Sequence, residues 1–182
     1  MEKSYKTIVV GLGAMGSAAL YQLSKSNEKI LGIDRFEPPH KNGSSHGQTR
    51  VTRQAIGEGS HYVPLVLKSN EIWRELESAS GTNLLTQCGG LIFGSEEEST
   101  MNHGVEGFLS GTIQTAKDFN IKHRVLDYTE LVKSYPQFNF SKNEVGYFEP
   151  GAGYLFPEKC IDAQLKLAKS NGADIILSLI HI

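Results

Sequence analysis

The stretch that decides the fold is Thr7-Ile-Val-Val-Gly-Leu-Gly-Ala-Met-Gly16, which is followed further along by Ile30-Leu-Gly-Ile-Asp34. Thr7–Val10 is short, apolar and β-branched, which predicts a buried parallel strand. Glycines at the spacing G-x-G-x-x-G follow this strand, and Asp34 ends a second apolar run at the distance expected of a ribose-binding acid. The order strand, glycine turn, helix, strand and acid predicts the first βαβ unit of a dinucleotide-binding fold.

Each glycine of the turn has a physical task. Gly11 allows the chain to turn sharply, Gly13 allows a pyrophosphate to approach the backbone, and Gly16 allows the helix to pack closely on the strand. The helix, predicted over 14–26, directs the unpaired N–H groups of its first turn at the phosphates, including those of Ala14 and Met15. The side chains expected to face the sheet are Ala18, Ala19 and Leu23.

Asp34 narrows the choice of dinucleotide. A carboxylate at the end of the second strand accepts hydrogen bonds from ribose hydroxyls and repels a 2′-phosphate, so FAD or NAD is favoured over NADP. The next residue, Arg35, weakens this preference because an arginine can accommodate a 2′-phosphate. The sequence therefore predicts an adenine dinucleotide as the ligand.

Composition and charge limit the classes of partner. The net charge is −2 and 21% of the residues are charged, and no basic stretch alternates with aromatic residues, so we expect no nucleic-acid partner. No apolar run reaches the roughly 20 residues of a membrane span, and no signal peptide is recognised, so we expect a cytoplasmic protein without a membrane anchor. Two cysteines and six histidines lack metal-ligand or disulfide-framework spacing, which predicts no metal site.

The rest of the chain alternates helical and strand patterns. Helices are predicted over 64–77, 105–119 and 157–171, near 48–54, and in a short segment that Asp127 caps before Pro136; strands are predicted over 84–88, 91–93, 123–126, 145–148, 154–156 and 174–179. Glu96–Glu98 is expected to start a solvated helix, Gly172 to cap the helix before it, and Trp73 to pack in the core. Because further strands normally follow such a crossover, we expect an incomplete α/β fold.

Several segments beyond the first unit carry a resemblance to a known family. They are Asp34-Arg-Phe-Glu-Pro-Pro-His40, Asn42-Gly-Ser-Ser-His-Gly-Gln-Thr-Arg50 with Arg53, and Phe148-Glu-Pro-Gly-Ala-Gly-Tyr-Leu-Phe156, and shorter matches lie at 57–64, 73–77 and 90–94. These segments resemble the monomeric sarcosine oxidase and N-methyltryptophan oxidase family of FAD-dependent amine oxidases. The resemblance implies a Rossmann-like FAD-binding domain of glutathione-reductase type, joined to part of an α+β substrate domain.

The resemblance also implies a division of the chain and a reaction. Residues 1–80 and 151–182 would belong to the FAD-binding domain, and residues 81–150 to the substrate domain. The family oxidises N-methyl or cyclic secondary amino acids such as sarcosine to an imine, and oxygen re-oxidises the flavin to give hydrogen peroxide. The implied partners are therefore FAD, a small amino acid and O2. The full-length protein is expected to be a monomer, with a peroxisomal location as the alternative in a eukaryote.

Roles for the loop after Asp34 follow from the same resemblance, which implies that Ser45, His46, Thr49 and Arg50 lie near the flavin and that Arg53 binds the substrate carboxylate. The residue types suit these roles. A fixed guanidinium stabilises the negative charge of a reduced flavin, and an arginine matches the two oxygens of a carboxylate. A helical turn would place Arg50 and Arg53 on one face.

The resemblance does not extend to covalent attachment of the flavin. Family members link FAD through a cysteine in their C-terminal half, which also supplies substrate-binding and base-like lysines. Cys88 and Cys160 do not match the linking position. We therefore expect these 182 residues alone to bind FAD poorly and to turn over no substrate.

Three other interpretations stay open at this point. An NAD(P)-dependent hydroxyacid dehydrogenase shares the spelling of Gly11–Gly16, but such an enzyme continues with regular βα units, whereas this chain enters a loop rich in Gly, Ser, His and Arg. Another FAD oxidase of the glycine and D-amino-acid oxidase group would share the βαβ unit. A non-catalytic truncated product would expose its last apolar strand as an edge prone to association.

Overall fold

The computed structural model describes residues 4–26, 28–95 and 106–177, so the predicted helix start at Glu96–Glu98 and the end of the last predicted strand lie outside the described residues. The chain forms two compact units. The first unit comprises Met1–Arg50, Trp73–Leu85 and Leu155–Ile182. The second unit comprises Val51–Ile72 and Thr86–Tyr154.

Helices and strands follow the predicted order along most of the described chain. The helices are α1 (Ala14–Ser24), α2 (Val63–Ser80), α3 (Phe108–Asp118), α4 (Tyr128–Ser134) and α5 (Pro157–Ser170), and a short 3-10 helix covers Ser60–Tyr62. The strands are β1 (Thr7–Val10), β2 (Ile30–Asp34), β3 (Arg50–Thr52), β4 (Leu85–Gln87), β5 (Gly90–Ser95), β6 (Arg124–Leu126), β7 (Glu144–Glu149), β8 (Gly153–Leu155) and β9 (Asp174–Leu177).

A parallel sheet with the order β1-β2-β9 organises the first unit. Thr7 pairs with Ile30 and Leu31 pairs with Asp174, which confirms the predicted βαβ connection. Every residue of the central strand β2 is buried, as its continuous apolar run requires. The prediction that β1 is buried was wrong, because Ile8 is 53% and Val10 72% exposed. Among the described residues β1 pairs only with β2, so it forms an edge of the sheet.

Helix α1 begins where the glycine spacing predicts, but it buries a different face. Its buried residues are Ser17, Leu20, Tyr21 and Ser24, whereas Ala19 and Leu23 are exposed. The prediction that Ala19 and Leu23 face the sheet was therefore wrong, while Ala18 is half-buried. Hydrophobicity misled because Ser17 and Ser24 enter the interior with their hydroxyls paired, the first to the Gln164 side chain at 2.7 Å and the second to the Tyr21 carbonyl at 2.7 Å.

An antiparallel sheet with the order β5-β7-β6 forms the centre of the second unit. Gly90 pairs with Glu149, and Leu126 pairs with Gly146. Buried apolar residues around Tyr147 form its core: Ala55, Val63, Leu109, Ala116 and Ile121. Helix α4 starts with the predicted cap, because Asp127 and Glu130 each accept a hydrogen bond from the other's backbone N–H.

The segment that carries the two predicted arginines differs from the prediction. The helix expected near 48–54 was wrong, since β3 covers Arg50–Thr52 and Gly47 has a φ of 109° that interrupts any helix. The β-branched residues Val51 and Thr52 favour this extended backbone.

Helix α5 ends one residue earlier than predicted. Its C-cap is Asn171 rather than Gly172, and Gly172 follows the cap with a φ of 96°. Strands β3, β8 and β4 form a third sheet in that order.

Candidate cofactor and substrate site

The glycine turn between β1 and α1 is closed tightly at Gly16, where no side chain fits. Gly11 has a φ of 87°, and its N–H donates to the Ile33 carbonyl at 2.7 Å. A Cβ at Gly16 would lie 1.7 Å from the Gly11 carbonyl oxygen, whereas a Cβ at Gly11 would meet no atom within 4 Å. The turn therefore packs against itself on one side and opens to space on the other, as a backbone cradle for a phosphate requires.

Asp34 lies beside this turn, as its spacing predicts. Its Oδ2 accepts from the Leu12 N–H at 2.7 Å and its Oδ1 from the Phe36 N–H at 3.0 Å. The Nε2 atom of His40 lies 3.5 Å from Oδ1. Burial by itself would raise the pKa of Asp34, but the two backbone hydrogen bonds and the nearby histidine outweigh it, and the pKa is lowered. The ionised carboxylate still has acceptor positions for ribose hydroxyls.

The loop after β2 returns to the start of α1. The Oγ of Ser45 accepts from the Ala14 N–H at 3.1 Å, and a Cβ at Gly13 would lie 3.2 Å from the same oxygen. The guanidinium of Arg50 donates hydrogen bonds of 2.7–2.9 Å to three backbone carbonyls of its own loop, those of Ser44, His46 and Thr49. These contacts bring Ser45, His46, Thr49 and Arg50 into the same unit as the glycine turn.

A cavity of about 130 Å³ lies next to the first residue of α1. Its lining is mostly apolar and consists of Ala14, Arg50, Trp73, Leu155, Pro157, Cys160, Ile161 and Gln164. Trp73 was predicted to pack in the core. It is half-buried, and it also lines this cavity, which the sequence did not predict. Burial, with a smaller contribution from Glu77, raises the pKa of Cys160 to about 12, so its thiol remains protonated at neutral pH. Sequence reasoning missed the α5 residues of this cavity because no local pattern links them to the glycine turn.

Two predicted cofactor residues present no side chain to the turn. Met15 is 86% exposed, so only its backbone N–H in the first turn of α1 suits an anion. Arg35 is exposed, with its guanidinium carbon 5.2 Å from the centre of the Phe36 ring. Within residues 4–26, 28–95 and 106–177, no group of three or more His, Cys, Asp or Glu is arranged to hold a metal ion.

Arg53 belongs to the second unit, whereas Arg50 belongs to the first. Its side chain is 23% exposed and forms an ion pair with Glu58, and its Nε donates to the Ala55 carbonyl at 3.3 Å. The guanidinium carbon lies 5.2 Å from the centre of the Phe108 ring. The helical face predicted for the two arginines was wrong, because β3 replaces the helix.

A second, smaller cavity of about 80 Å³ includes Arg53 in its wall. The other lining residues are Val51, Gly90, Leu91, Ile92, Tyr147, Glu149 and Ala152. Glu58 and Glu149 lie in segments that carry the family resemblance, but the sequence analysis gave neither a role, since neither stands in a spacing that indicates a ligand. The arrangement offers a partly enclosed guanidinium, a group that suits a carboxylate.

No helix within the described part of the chain is both long and apolar enough to cross a membrane. The glycine turn, the N-terminus of α1 and Asp34 fit the ADP portion of a dinucleotide, because they combine a backbone surface that is open at Gly11, the positive end of the α1 dipole and a carboxylate. The Ala14 N–H, predicted to be unpaired, donates to the Ser45 Oγ instead.

Comparisons with known proteins identify the dinucleotide class. A family model described as FAD dependent oxidoreductase (DAO) matches residues 6–178. Monomeric sarcosine oxidase of Bacillus sp. (strain B-0618) is 42% identical over 97% of this chain and 43% of its own length. N-methyl-L-tryptophan oxidase of Yersinia pestis (strain Pestoides F) is 34% identical over 96% of this chain and 45% of its own length. The chain thus spans less than half the length of these curated relatives.

Solved structures agree on the fold. NikD, an amino acid oxidase of nikkomycin biosynthesis, superimposes with a TM-score of 0.81 at 23% identity over 97% of this chain and 44% of its own. L-proline dehydrogenase from P. horikoshii gives a TM-score of 0.79 at 19% identity over 98% of this chain and 45% of its own. The resemblance of the sequence to FAD-dependent amine oxidases is confirmed, and the alternative of an NAD(P)-dependent hydroxyacid dehydrogenase is disfavoured. The chain belongs to the DAO family of FAD-dependent oxidoreductases.

Proposed function

We propose that the whole protein carrying this chain, called the complete oxidase below, oxidises a secondary amino acid such as sarcosine to an imine and releases hydrogen peroxide. The observation that carries this proposal is the match over nearly the whole chain to oxidases of sarcosine and N-methyl-L-tryptophan. When bound, FAD supplies the acceptor for the substrate's hydride and passes the electrons to O2. The remaining chemistry concerns how the protein holds the cofactor and the substrate.

The first unit, in this proposal, binds the cofactor. The backbone of Gly11–Gly16 receives the pyrophosphate through the N–H groups of Met15 and of Ala14, whose present acceptor, the Ser45 Oγ, the phosphate would replace. Asp34 receives the ribose. The open side of Gly11 and the exposed start of α1 support this assignment. Arg35 flanks the ribose position, and its exposed side chain is free to turn towards the adenosine.

Arg50 is proposed to place a positive charge at the flavin, with Ser45, His46 and Thr49 around it. Its guanidinium is already fixed by carbonyls of its own loop, so it need not reorganise when negative charge develops. The hydrogen bond between Ser45 and the Ala14 N–H supports a loop that continues the cofactor surface of α1.

Arg53, in the second unit, is proposed to bind the carboxylate of the amino acid. A guanidinium has five N–H donors, and the contacts with Glu58 and the Ala55 carbonyl leave some of them for a second carboxylate. The pair with Glu58 also holds the side chain in place before substrate arrives. We propose that the second unit is the substrate portion for this reason.

The test is a peroxide assay on the complete oxidase loaded with FAD. We expect peroxide with sarcosine or N-methyltryptophan and none with a 2-hydroxy acid and NAD. FAD-loaded protein that makes no peroxide from any secondary amino acid would contradict the proposal. The 182-residue chain alone is expected to retain little flavin and to make no peroxide, and size-exclusion of the complete oxidase is expected to give a monomer.

A further inference from the structure

Glu149 is a carboxylate in the interior of the second unit, at the end of β7. It is 1% exposed, and it accepts three hydrogen bonds. Its Oε1 accepts from the Gln54 N–H at 2.7 Å, and its Oε2 accepts from the Ala55 N–H at 3.0 Å and from the Tyr147 hydroxyl at 2.8 Å. A carboxylate is costly to bury, and donors of this kind are what make such burial tolerable.

The two backbone groups that Glu149 holds directly follow Arg53 in the chain. Ala55 is held from both sides, since its N–H donates to Glu149 and its carbonyl accepts from the Arg53 Nε at 3.3 Å. Arg53 and Glu149 also line the same cavity of about 80 Å³. The orientation of the guanidinium is therefore tied to β7 through Ala55.

Tyr147 fixes the carboxylate in turn. Its ring is 1% exposed, and it stacks on His123 with the ring centres 5.4 Å apart. Burial first, and then the hydrogen bond to Glu149, raise the pKa of Tyr147 well above its usual range. The hydroxyl therefore donates to Glu149 throughout the pH range of an enzyme assay.

We propose that Glu149 is a positioning residue that holds the 53–55 segment so that Arg53 presents its guanidinium to the carboxylate of the substrate. This inference rests on the proposed role of Arg53. A glutamine at 149 keeps the shape but replaces one acceptor oxygen with an NH2 donor. One of the two backbone N–H groups then faces a donor, so the segment shifts and Arg53 with it.

The test compares Glu149→Gln with Glu144→Gln, the same change at the other end of β7, in the FAD-loaded complete oxidase. The readouts are the Kd for acetate, followed through the flavin spectrum, and KM and kcat for sarcosine. We expect Glu149→Gln to raise Kd and KM about tenfold, the size of one lost charge-assisted hydrogen bond, and to change kcat little. Glu144→Gln should leave all three values unchanged.

A second pair of variants shows whether Glu149 acts through Arg53. In an Arg53→Ala background, Glu149→Gln should cause no further loss of acetate affinity, because coupled residues are not additive. Tyr147→Phe removes one of the three bonds to Glu149 and should raise KM about twofold to threefold; this variant keeps the inference testable if Glu149→Gln does not fold.

The outcomes separate the inference from the proposed function. Unchanged acetate affinity in Arg53→Ala would contradict the role of Arg53 and the inference with it. Weaker binding in Arg53→Ala, together with wild-type KM in both Glu149→Gln and Tyr147→Phe, would overturn the inference alone. An equal loss from Glu149→Gln with and without Arg53, or a fall in kcat at unchanged KM, would also overturn it.

Discussion

Asp34 in the first unit and Glu149 in the second are buried carboxylates that perform the same local task. Each accepts hydrogen bonds from two backbone N–H groups of a neighbouring turn or loop: those of Leu12 and Phe36 for Asp34, and those of Gln54 and Ala55 for Glu149. We call these arrangements the Asp34 clamp and the Glu149 clamp. In both units, a segment that is proposed to bind a ligand is thus held by one carboxylate side chain.

The two clamps differ in their third partner and in their enclosure. The Asp34 clamp has an imidazole 3.5 Å away, whereas the Glu149 clamp has a tyrosine hydroxyl at 2.8 Å. Asp34 is 9% exposed and Glu149 is 1% exposed. Asp34 thus keeps acceptor capacity nearer the surface, which suits its proposed contact with the ribose, whereas the enclosure of Glu149 suits the supporting role that we propose for it.

Removing the Glu149 carboxylate should destabilise the protein more than removing the Asp34 carboxylate. Glu149→Leu leaves three donors without an acceptor, of which the Ala55 N–H and the Tyr147 hydroxyl are buried, and this should lower the free energy of unfolding by roughly 4 kcal/mol. Asp34→Leu leaves two donors without an acceptor, of which only the Leu12 N–H is buried, and we expect a loss of about 2 kcal/mol. Urea unfolding of the complete oxidase measures both values. A smaller loss of unfolding free energy for Glu149→Leu than for Asp34→Leu would show that the Glu149 clamp is not the more stabilising of the two.

Gly16→Ala tests the turn that carries the Leu12 N–H to Asp34. A Cβ at this position would lie 1.7 Å from a backbone oxygen, so the turn must move and the variant should lose about 3 kcal/mol of stability. The matched control is Gly111→Ala in α3, whose Cβ would find its nearest atom at 3.8 Å. That variant should gain roughly 0.5–1 kcal/mol from the better helix propensity of alanine. Equal stability of the two variants would show that the turn is not closed as described.

The Asp34 clamp should also give the first unit a dependence on acid. Because the pKa of Asp34 is lowered on folding, its contribution is complete above the ordinary value of 3.8 and is lost as pH falls through the folded pKa. Unfolding midpoints measured between about pH 2 and 6 should therefore decrease as the pH is lowered below 3.8, since the unfolded state then binds more protons than the folded state. Asp34→Asn should remove part of that fall. A variant with the same acid profile as the wild type would contradict the assignment.

The smallest effect concerns the two cysteines, one in each unit. Cys160 is buried with a raised pKa, whereas Cys88 is exposed. A thiol reagent should therefore modify Cys88 in the folded protein, and it should reach Cys160 only after denaturation. Cys88→Ser should abolish the native reaction at these two positions, as peptide mapping would show. Rapid native modification of Cys160 would mean that the cavity beside α1 opens.

The two clamps also mark what the sequence could and could not foretell. Asp34 was predictable because its partner Leu12 lies only 22 positions away, within one βαβ unit of known spacing. Glu149 was not, because its backbone partners lie 94 and 95 positions away and no local pattern joins them. The same contrast holds elsewhere. The helix cap at Asp127 is local and was predicted, whereas the buried face of α1 depends on Gln164 in a distant helix and was missed.

The most direct test of the central claim is the flavin content of two variants of the complete oxidase, Asp34→Ala and Arg53→Ala. The claim is that the first unit holds FAD and that the second offers Arg53 to the substrate. The ratio of flavin to protein, measured from the visible absorbance after denaturation, should fall in Asp34→Ala and stay at the wild-type value in Arg53→Ala. The opposite result would contradict this division of roles: a folded Asp34→Ala variant with its full flavin content, together with an Arg53→Ala variant that has lost its flavin.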